Sequence, residues 1–317
     1  MMPAGGRLKG MGMAVGQPQK TVLGKLLKAL YHATIHSLPI KQATQLQYFR
    51  YHRLWPNINN PKTLNEHLVA RKIAWREPAD DPRLIMLSDK IAVKAHVAKV
   101  LGDEWVTPTL WRGKNLDDCP PLPFPYVIKV NHGSDRNIFV YGPDDLVGAK
   151  EKCDLWLQGR TAWRLAEEWY NHIEPELFIE PFIGENGEAP VDYKLFCFED
   201  DIPCIQIDTA RFSDHRRCFY DEHWNKLSFG HYYPMEDKEL PRPPHLDAIL
   251  AAARTLAQGF EFVRIDFYDK PSGPVFGEMT FSPTSGFGAF RPPSTDAWLG
   301  TFWRANPKGR FRTSVEG

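Results

Sequence analysis

Pairs of polar residues, two positions apart, interrupt four of the apolar stretches in this chain. Side chains two residues apart in a β-strand lie on the same face of the sheet, so each pair would present two polar groups together. Buried charges are costly unless they are paired or bound to an ion. The pattern therefore predicts a polar site on a sheet. The pairs are Lys129 with Asn131, Asp192 with Lys194, Arg264 with Asp266, and Glu278 with Thr280.

The last two pairs belong to strands that a turn joins. Residues 269–274 read Asp-Lys-Pro-Ser-Gly-Pro and predict a hairpin. With the turn centred on Ser272, Asp266 and Glu278 are each six residues from the centre and face each other. Facing carboxylates repel unless a cation lies between them, and Mg²⁺ takes oxygen ligands from one or two carboxylates. An equally good interpretation pairs Asp266 with Arg264 or another arginine and leaves Glu278 in solvent.

Two lysines occupy positions that suit a phosphate group. Lys129 ends an apolar strand and precedes a polar loop, residues 131–137, whose single glycine gives only a weak signal for a phosphate cradle. Lys90 falls in the first turn of a helix predicted over residues 89–101, with Ser88 as its N-cap. A cation is unfavourable at this positive helix end, which a bound anion would explain. An ordinary solvated lysine is the alternative for Lys90 taken alone.

An α+β framework is predicted to position these residues. Residues 1–20 are predicted to be a flexible extension, and the chain is then mostly helical to about residue 105, with Thr63 and Glu66 as a capping box. Short β-rich runs follow, interspersed with helical segments, and indicate antiparallel hairpins. The predicted strands cover residues 126–130, 138–141, 176–183, 191–198, 202–209, 260–268 and 274–281.

Composition favours a folded, water-soluble protein, since 43% of the residues are hydrophobic and 25% are charged. Thirty-nine basic residues balance thirty-nine acidic ones, so the positive field that supports nonspecific nucleic-acid binding is missing and no nucleic-acid partner is expected. Five widely spaced cysteines favour reduced thiols, and no apolar run is long enough to span a membrane, which predicts a cytoplasmic location. The amphipathic stretch 22–38 either packs on its own domain or contacts the inner face of the membrane.

An ordered series of short motifs resembles the ATP-grasp superfamily. The motifs lie at residues 88–90, 127–130, 132–134, 179–182, 192–194, 264–267 and 277–280. More closely, the chain from about Tyr48 to Trp303 resembles the TupA-like ATP-grasp family, which is associated with teichuronopeptide and other cell-surface polysaccharide assembly. That similarity is carried by residues 55–66, 129–134, 192–198 and 281–287.

The resemblance implies an ATP-grasp fold, in which two α+β lobes grip ATP and Mg²⁺ and a helical region precedes them. The implied units are a helical region at 21–105, a central lobe with the phosphate loop at 106–183, and a C-terminal lobe with the metal and substrate site at 184–317. Residues implied to bind the nucleotide are Lys90, Lys129, His132, Gly133, Ser134, Arg136, Glu180 and Asp192. Those implied in catalysis are Arg264 and Lys194, and those implied to hold the metal are Asp266, Glu278 and Thr280.

The implied reaction has two steps: ATP phosphorylates a carboxylate to an acyl phosphate, and an amine then displaces phosphate to give an amide. Two positions depart from the family pattern. Asp135 and Arg136 stand where related sequences usually have glycines, and Asp135 would repel phosphate. Thr280 stands where many such ligases have asparagine, and it is an uncharged, weaker metal ligand.

The acceptor site is predicted from two segments. Residues 211–217 gather three arginines, of which Arg211 and Arg216 are the predicted contacts for a uronic-acid carboxylate or another anionic sugar, although a solvated basic loop fits as well. Ser285 and Gly286 lie in a turn that resembles the substrate loop of such ligases. An amine or amino acid would be the other substrate. The competing functions are a glycosyltransferase that uses a nucleotide sugar, a kinase that stops at phosphoryl transfer, and a nucleotide-binding module without catalysis.

Overall fold

The computed structural model describes residues 30, 31, 33–35, 37–134, 136–158, 165–184, 190–209 and 214–304. The predicted extension at residues 1–20 lies outside these ranges. The described part of the chain contains seven helices of seven or more residues from Ile40 onward. They are α1 (Ile40–His52), α2 (Leu64–Ala74), α3 (Pro82–Ser88), α4 (Ala92–Leu101), α5 (Ala149–Gln158), α6 (Leu246–Ala257) and α7 (Ser294–Gly300).

The start of α2 confirms the predicted capping box. The Thr63 side chain accepts a hydrogen bond from Glu66 N at 3.2 Å, and Thr63 N donates to Glu66 Oε2 at 3.2 Å. Each side chain thereby satisfies a backbone N–H that has no partner inside the helix. The sequence signal was sufficient here because both partners of the box are local.

The predicted helix over residues 89–101 with Ser88 as its cap is wrong at its start. Ser88 ends α3, and α4 begins at Ala92. Asp89 Oδ1 accepts hydrogen bonds from the backbone N–H groups of Ile91 at 2.8 Å and Ala92 at 3.2 Å, so aspartate rather than serine satisfies these donors. Lys90 therefore lies in the turn between two helices and not in the first turn of one.

The strands form two larger antiparallel sheets and a two-stranded ribbon. The first sheet has the order β1-β4-β2-β3 and the second the order β11-β10-β5-β6-β7-β8, while β12 pairs with β9. The bounds are β1 (Trp111–Gly113), β2 (Tyr126–Val130), β3 (Asn137–Val140), β4 (Leu177–Pro181), β5 (Asp192–Phe198), β6 (Asp201–Thr209), β7 (Arg216–Tyr220), β8 (Lys226–Leu227), β9 (Gly230–His231), β10 (Val263–Lys270), β11 (Gly273–Thr280) and β12 (Phe290–Arg291).

The six-stranded sheet has one apolar face and one divided face. On the apolar face, Leu195, Ile205 and Ile265 pack with Ile249 and Ala253 of α6 in the largest core. Alternate side chains point to the opposite face. That face is apolar at one end and carries three of the four predicted polar pairs at the other. The packing of the apolar end therefore fixes the position of the charged end.

The apolar end of the divided face is covered by helices from both ends of the described chain. Leu64 and Leu68 of α2 pack with Phe196, Phe219 and Leu299 in one buried cluster. The N-terminal helices are therefore part of the core that supports the second sheet. Within the described residues, no helix has both the length and the apolar composition that crossing a membrane requires.

Candidate active site

The β10–β11 hairpin brings Asp266 directly opposite Glu278, as predicted, although the turn is not where it was expected. Lys270 pairs with Gly273, so the turn is centred between Pro271 and Ser272. A β-bulge then shifts the register between Asp266 and Phe267, which leaves Gly277 as the extra residue on β11. The bulge restores the pairing that an ordinary hairpin with this turn would have offset by one residue.

Gly277→Ala tests whether the bulge holds the two carboxylates in register. A Cβ at Gly277 would lie 3.0 Å from the backbone oxygen of Asp266, which a rigid sheet cannot easily move. We expect the free energy of unfolding to fall by about 1–2 kcal/mol in a urea titration. Gly142→Ala is the control, because a Cβ there meets nothing within 4 Å. Equal stability of the two variants would show that the bulge relaxes without strain.

Arg264 joins the carboxylates of the hairpin. Its Nε donates to Asp266 Oδ1 at 2.7 Å, and one terminal nitrogen donates to Asp266 Oδ2 at 2.8 Å and to Glu278 Oε1 at 2.7 Å. The Thr280 hydroxyl lies 3.1 Å from the same nitrogen and donates to Glu278 Oε1 at 2.8 Å. Asp266 thus pairs with Arg264, as one of the two sequence interpretations had it, while Glu278 also turns toward this arginine.

Lys194 extends the ion network to the next strand. Its ammonium donates to Asp266 Oδ2 at 2.6 Å and also to Asp192, two residues away on the same face. Asp192, Lys194 and Asp266 are all buried. Charges alternate across β11, β10 and β5, so that each buried carboxylate has a cation in contact, as a low-dielectric setting requires.

The two facing carboxyl groups have different electrostatic environments. Burial raises the pKa of Asp266, while Arg264 and Lys194 oppose that rise. Burial also acts to raise the pKa of Glu278, but Lys90, Arg264 and Lys194 together bring it down to about 2. Among these three cations, Lys90 lowers the pKa of Glu278 the most. Glu278 is therefore ionised at neutral pH.

The residues predicted to hold Mg²⁺ fit the ion in type. Asp266, Glu278 and Thr280 offer the oxygen donors that Mg²⁺ prefers, and water and phosphate would complete its shell. Glu278 Oε2 accepts no hydrogen bond from the described residues, and the side chain is partly open to solvent. The guanidinium of Arg264 now supplies the positive charge between the carboxylates. No set of three or more His, Cys, Asp or Glu side chains converges as a metal site within the described ranges.

Lys129 and Glu180 meet on the first sheet, where β2 pairs with β4. Lys129 Nζ lies 2.5 Å from Glu180 Oε2, and Lys94 Nζ of α4 lies 2.5 Å from the other oxygen, Oε1. Burial acts to raise the pKa of Glu180, but the two ammonium groups outweigh it and lower the pKa. Lys94 was not predicted, because its contact depends on how α4 packs on the sheet and leaves no local pattern.

The loop after β2 contacts the turn that carries Lys90. The Lys90 ammonium donates to the backbone oxygen of Gly133, and Lys90 N donates to Asn131 O at 2.9 Å. A guanidinium nitrogen of Arg136 lies 3.1 Å from His132 Nε2 and donates to Trp156 O at 3.1 Å, so Arg136 is held against α5. His132, Gly133, Ser134 and Arg136 line one side of a cavity of about 140 Å³. Asp135 lies outside the described residues.

The predicted substrate turn is strained and tied to its surroundings. Thr284, Ser285 and Gly286 have φ values of 49°, 56° and 69°, a left-handed conformation that side chains beyond glycine rarely adopt. Ser285 O accepts a hydrogen bond from Lys72 Nζ at 2.6 Å, and the Ser285 hydroxyl donates to Glu167 Oε1 at 3.1 Å. Backbone strain of this kind persists only where neighbouring contacts enforce it, and it is concentrated at functional sites.

Lys72 is a buried ammonium that sequence reasoning missed. It also donates to Leu165 O at 2.7 Å and lies 4.2 Å from the ring centre of Phe287. Burial lowers the pKa of Lys72 and raises that of Glu167, its acidic neighbour. A signal existed, because Lys72 falls on the buried stripe of α2. The other members of that stripe are Leu64, Asn65, Leu68, Val69 and Ile73.

Lys72→Met will lower the free energy of unfolding by about 2 kcal/mol, because the carbonyl groups of Leu165 and Ser285 lose their donor and the partly buried Glu167 loses a neighbouring cation. The double variant Lys72→Met/Glu167→Gln should recover part of that loss, since no isolated charge then remains. Urea unfolding of the wild type and both variants measures the difference. If the double variant loses as much stability as Lys72→Met and Glu167→Gln lose separately, added together, the two groups do not act as a pair.

Arg216 and Arg217, in the basic segment at residues 211–217, point to opposite sides of β7, and only Arg217 is buried. Arg217 lies opposite Asp208, and its Nε donates to Asp208 Oδ1 at 2.6 Å. Arg217 also lies 3.1 Å from His231 Nδ1, and these three side chains are buried. Arg216 points to the other side of β7, where it contacts Asp214 at 2.9 Å. Arg211 lies outside the described residues.

The chain has relatives among protein families and solved structures. A family model described as TupA-like ATPgrasp matches residues 67–304. D-alanine–D-alanine ligase from Bacillus anthracis is 17% identical, with a TM-score of 0.37, over 62% of this chain and 57% of that one. The same enzyme from Helicobacter pylori is 16% identical, with a TM-score of 0.40, over 69% of this chain and 59% of that one.

A RimK domain ATP-grasp protein from Sphaerobacter thermophilus is 15% identical, with a TM-score of 0.41, over 69% of each chain. No curated protein of similar sequence matches. The chain spans less than two thirds of the length of the two D-alanine–D-alanine ligases. Since the family model covers most of the sequence, this chain belongs to the TupA-like ATPgrasp family, and its two α+β lobes form the ATP-grasp fold.

Proposed function

We propose that this protein is an ATP-dependent ligase that joins a carboxylate to an amine through an acyl phosphate. The observation that carries the proposal is the pairing of Asp266 with Glu278 in register, with Arg264 bridging them and Lys194 in contact. Lys90, which lowers the pKa of Glu278, adds a third cation. Facing carboxylates among several cations suit a metal ion and the phosphates of a nucleotide.

The nucleotide would lie between the two predicted lobes, residues 106–183 and 184–317. A cleft of about 510 Å³ lies between the end of β4 and the β10–β11 turn, with Phe182, Ile183 and Val275 among its walls. These apolar side chains suit an adenine base. Glu180, which precedes Pro181 on this wall, would lie beside the base.

The phosphates would extend from the base toward Lys129, Lys90 and the loop at residues 132–136. Asp192 would act on them through Lys194, whose ammonium it holds. Mg²⁺ at Asp266, Glu278 and Thr280 would neutralise charge on the phosphate oxygens. The protein would contribute positioning and charge neutralisation, with little covalent chemistry of its own.

Two bond exchanges would complete the reaction. An oxygen of the acid attacks the γ-phosphorus and the bond to ADP breaks, which gives an acyl phosphate. The amine nitrogen then attacks the acyl carbon, the bond to phosphate breaks, and the nitrogen loses a proton. Arg264 and Lys194 would stabilise the negative charge on the transferring phosphoryl group because both cations lie beside the carboxylate pair.

The acid is proposed to be an acidic sugar of a cell-surface polysaccharide and the amine an amino acid, acting at the cytoplasmic side. The family association supports this choice. Ser285 and Gly286 would contact the acceptor, together with Arg211 and Arg216. For a buried anionic group, the inward-facing Arg217 is better placed than Arg216.

Hydroxylamine tests the proposed reaction, because it replaces the amine and converts an acyl phosphate to a hydroxamate. ATP, Mg²⁺ and a panel of uronic acids should yield hydroxamate and ADP in equal amounts. With an amino acid in place of hydroxylamine, phosphate release should require both substrates. ADP formation without an amine, and without hydroxamate, would favour a kinase. ATP binding without turnover would favour a binding module, and sugar transfer from a nucleotide sugar would favour a glycosyltransferase.

A further inference from the structure

The charges of this neutral chain are distributed unevenly along the sequence. Residues 1–65 contain no aspartate or glutamate, and the remaining residues carry thirty basic and thirty-nine acidic side chains. The nine cationic residues of the first segment are Arg7, Lys9, Lys20, Lys25, Lys28, Lys41, Arg50, Arg53 and Lys62. A segment of 65 residues with nine positive charges and no negative one attracts anionic partners.

The structure places exposed apolar groups within this basic segment. At the end of α1, Leu54 and Trp55 are 69% and 61% exposed. Arg50 and Arg53 lie beside them in the sequence and are exposed as well. These four residues are called here the Arg50–Trp55 patch. Single exposed apolar residues are common on protein surfaces, but two adjacent ones beside two arginines, in a segment without acidic residues, indicate an interaction surface.

The patch has a defined shape. Arg53 ends α1 in a left-handed conformation, with φ of 61°, and this turns the chain so that Leu54 and Trp55 follow the helix end. The Trp55 ring stacks on Phe49 with 4.9 Å between ring centres. The buried face of α1, which includes Ala43 and Tyr48, faces the protein. The indole is therefore held outward by the fold and does not depend on a partner for its position.

The helical residues before α1 adjoin this patch. Arg50 lies over the ring of Tyr31, 4.2 Å from its centre. Leu30, which precedes Tyr31, is 55% exposed.

We propose that the Arg50–Trp55 patch binds the surface of a membrane that contains anionic lipids. Tryptophan and tyrosine are favoured where one side of a ring meets acyl chains and the other meets water, and arginine pairs with anionic headgroups while its stem covers apolar surface. A second copy of the same patch would be repelled by like charge, and a nucleic-acid backbone would leave Leu54 without an apolar partner. The proposal does not depend on the ligase reaction.

Vesicle flotation with the full chain tests this surface. Vesicles of phosphatidylcholine with one third phosphatidylglycerol should bind the wild type at least tenfold more than phosphatidylcholine alone, and 0.5 M NaCl should weaken the binding. Leu54→Ala/Trp55→Ala should reduce partitioning about tenfold or more, because two apolar side chains no longer insert. Arg50→Gln/Arg53→Gln should reduce it by a similar factor.

Val147→Ala/Leu155→Ala is the matched control, because these side chains are 84% and 67% exposed but lie outside the basic segment. It should bind as the wild type does. Equal binding to both kinds of vesicle, no binding at all, or unchanged binding of both patch variants would overturn the proposal. A dimer without lipid that the patch variants abolish would also overturn it, in favour of contact between two copies of this chain.

Discussion

Glu278→Gln will lower turnover about a thousandfold or more and leave the fold in place. The substitution removes the negative charge that would hold Mg²⁺ opposite Asp266, and with it the charge neutralisation that a metal contributes to phosphoryl transfer. The Glu278 side chain is 34% exposed, so its contacts with Arg264 and Thr280 contribute little to the stability of the fold. Phosphate release measures turnover, and calorimetry measures ATP affinity with and without Mg²⁺.

Glu239→Gln is a suitable control, because this glutamate is exposed and its neighbour Leu240 contacts Tyr220 of β7, three strands away from the hairpin. It should retain both turnover and magnesium-dependent ATP binding. Normal activity of Glu278→Gln would remove the metal assignment. If activity is lost but ATP binding depends on Mg²⁺ as in the wild type, Glu278 acts through its contact with Arg264 and does not hold the metal.

Asp266→Asn will lower stability as well as turnover. Asp266 is buried and contacts both Arg264 and Lys194, so an amide in its place leaves one partly buried and one buried cation with one fewer counter-charge. We expect the free energy of unfolding to fall by about 3 kcal/mol, in addition to the loss of turnover. The facing carboxylates thus differ: removal of one affects chemistry, and removal of the other affects chemistry and folding.

Further substitutions separate these effects. Lys194→Met together with Asp192→Asn, in the Asp266→Asn background, removes this cation and also its other carboxylate partner, so it should restore part of the stability in urea unfolding without restoring turnover. If the triple variant is no more stable than Asp266→Asn, the charge imbalance is not the cause of the loss. Full stability of Asp266→Asn alone would show that Asp192 compensates for the missing charge.

Local patterns predicted the strands well because apolar runs, turn residues and alternation all agreed. The predicted strand over residues 126–130 matches β2, and the others differ from the observed strands by a few residues at their ends. The prediction that Asp266 faces Glu278 was also correct, although the hairpin reaches this pairing in a different way. The predicted turn centre was half a residue away, and the bulge at Gly277 compensated. A bulge depends on how three strands fit together, which one hairpin sequence does not reveal.

The predictions were wrong or incomplete where the role of a side chain depends on residues that are far away in the sequence. No strand was predicted over residues 211–217, so the alternation within β7 that turns Arg217 inward could not be assigned. Ser88 and Asp89 are both good capping residues, so the sequence did not show which of them precedes the helix. The answer depended on the break between α3 and α4, which the spacing of apolar residues does not reveal. Lys72 was passed over because a lysine on an apolar stripe has meaning only when its carbonyl partners are known.

The contacts of Asn65 bear on the order in which the chain folds. Its backbone N–H donates to Asp296 Oδ1 at 3.0 Å, and its side-chain amide donates to Asp296 Oδ2 and Gly288 O, each at 2.9 Å. Asn65 and Asp296 are 231 positions apart, so α2 cannot reach its final packing during synthesis until nearly the whole described chain has left the ribosome. Leu64 and Leu68 likewise wait for residues such as Phe196 and Phe219, which follow them by more than a hundred positions. Such long-range closure slows folding and prolongs the exposure of apolar surface to aggregation, so chaperone demand should be greatest late in translation.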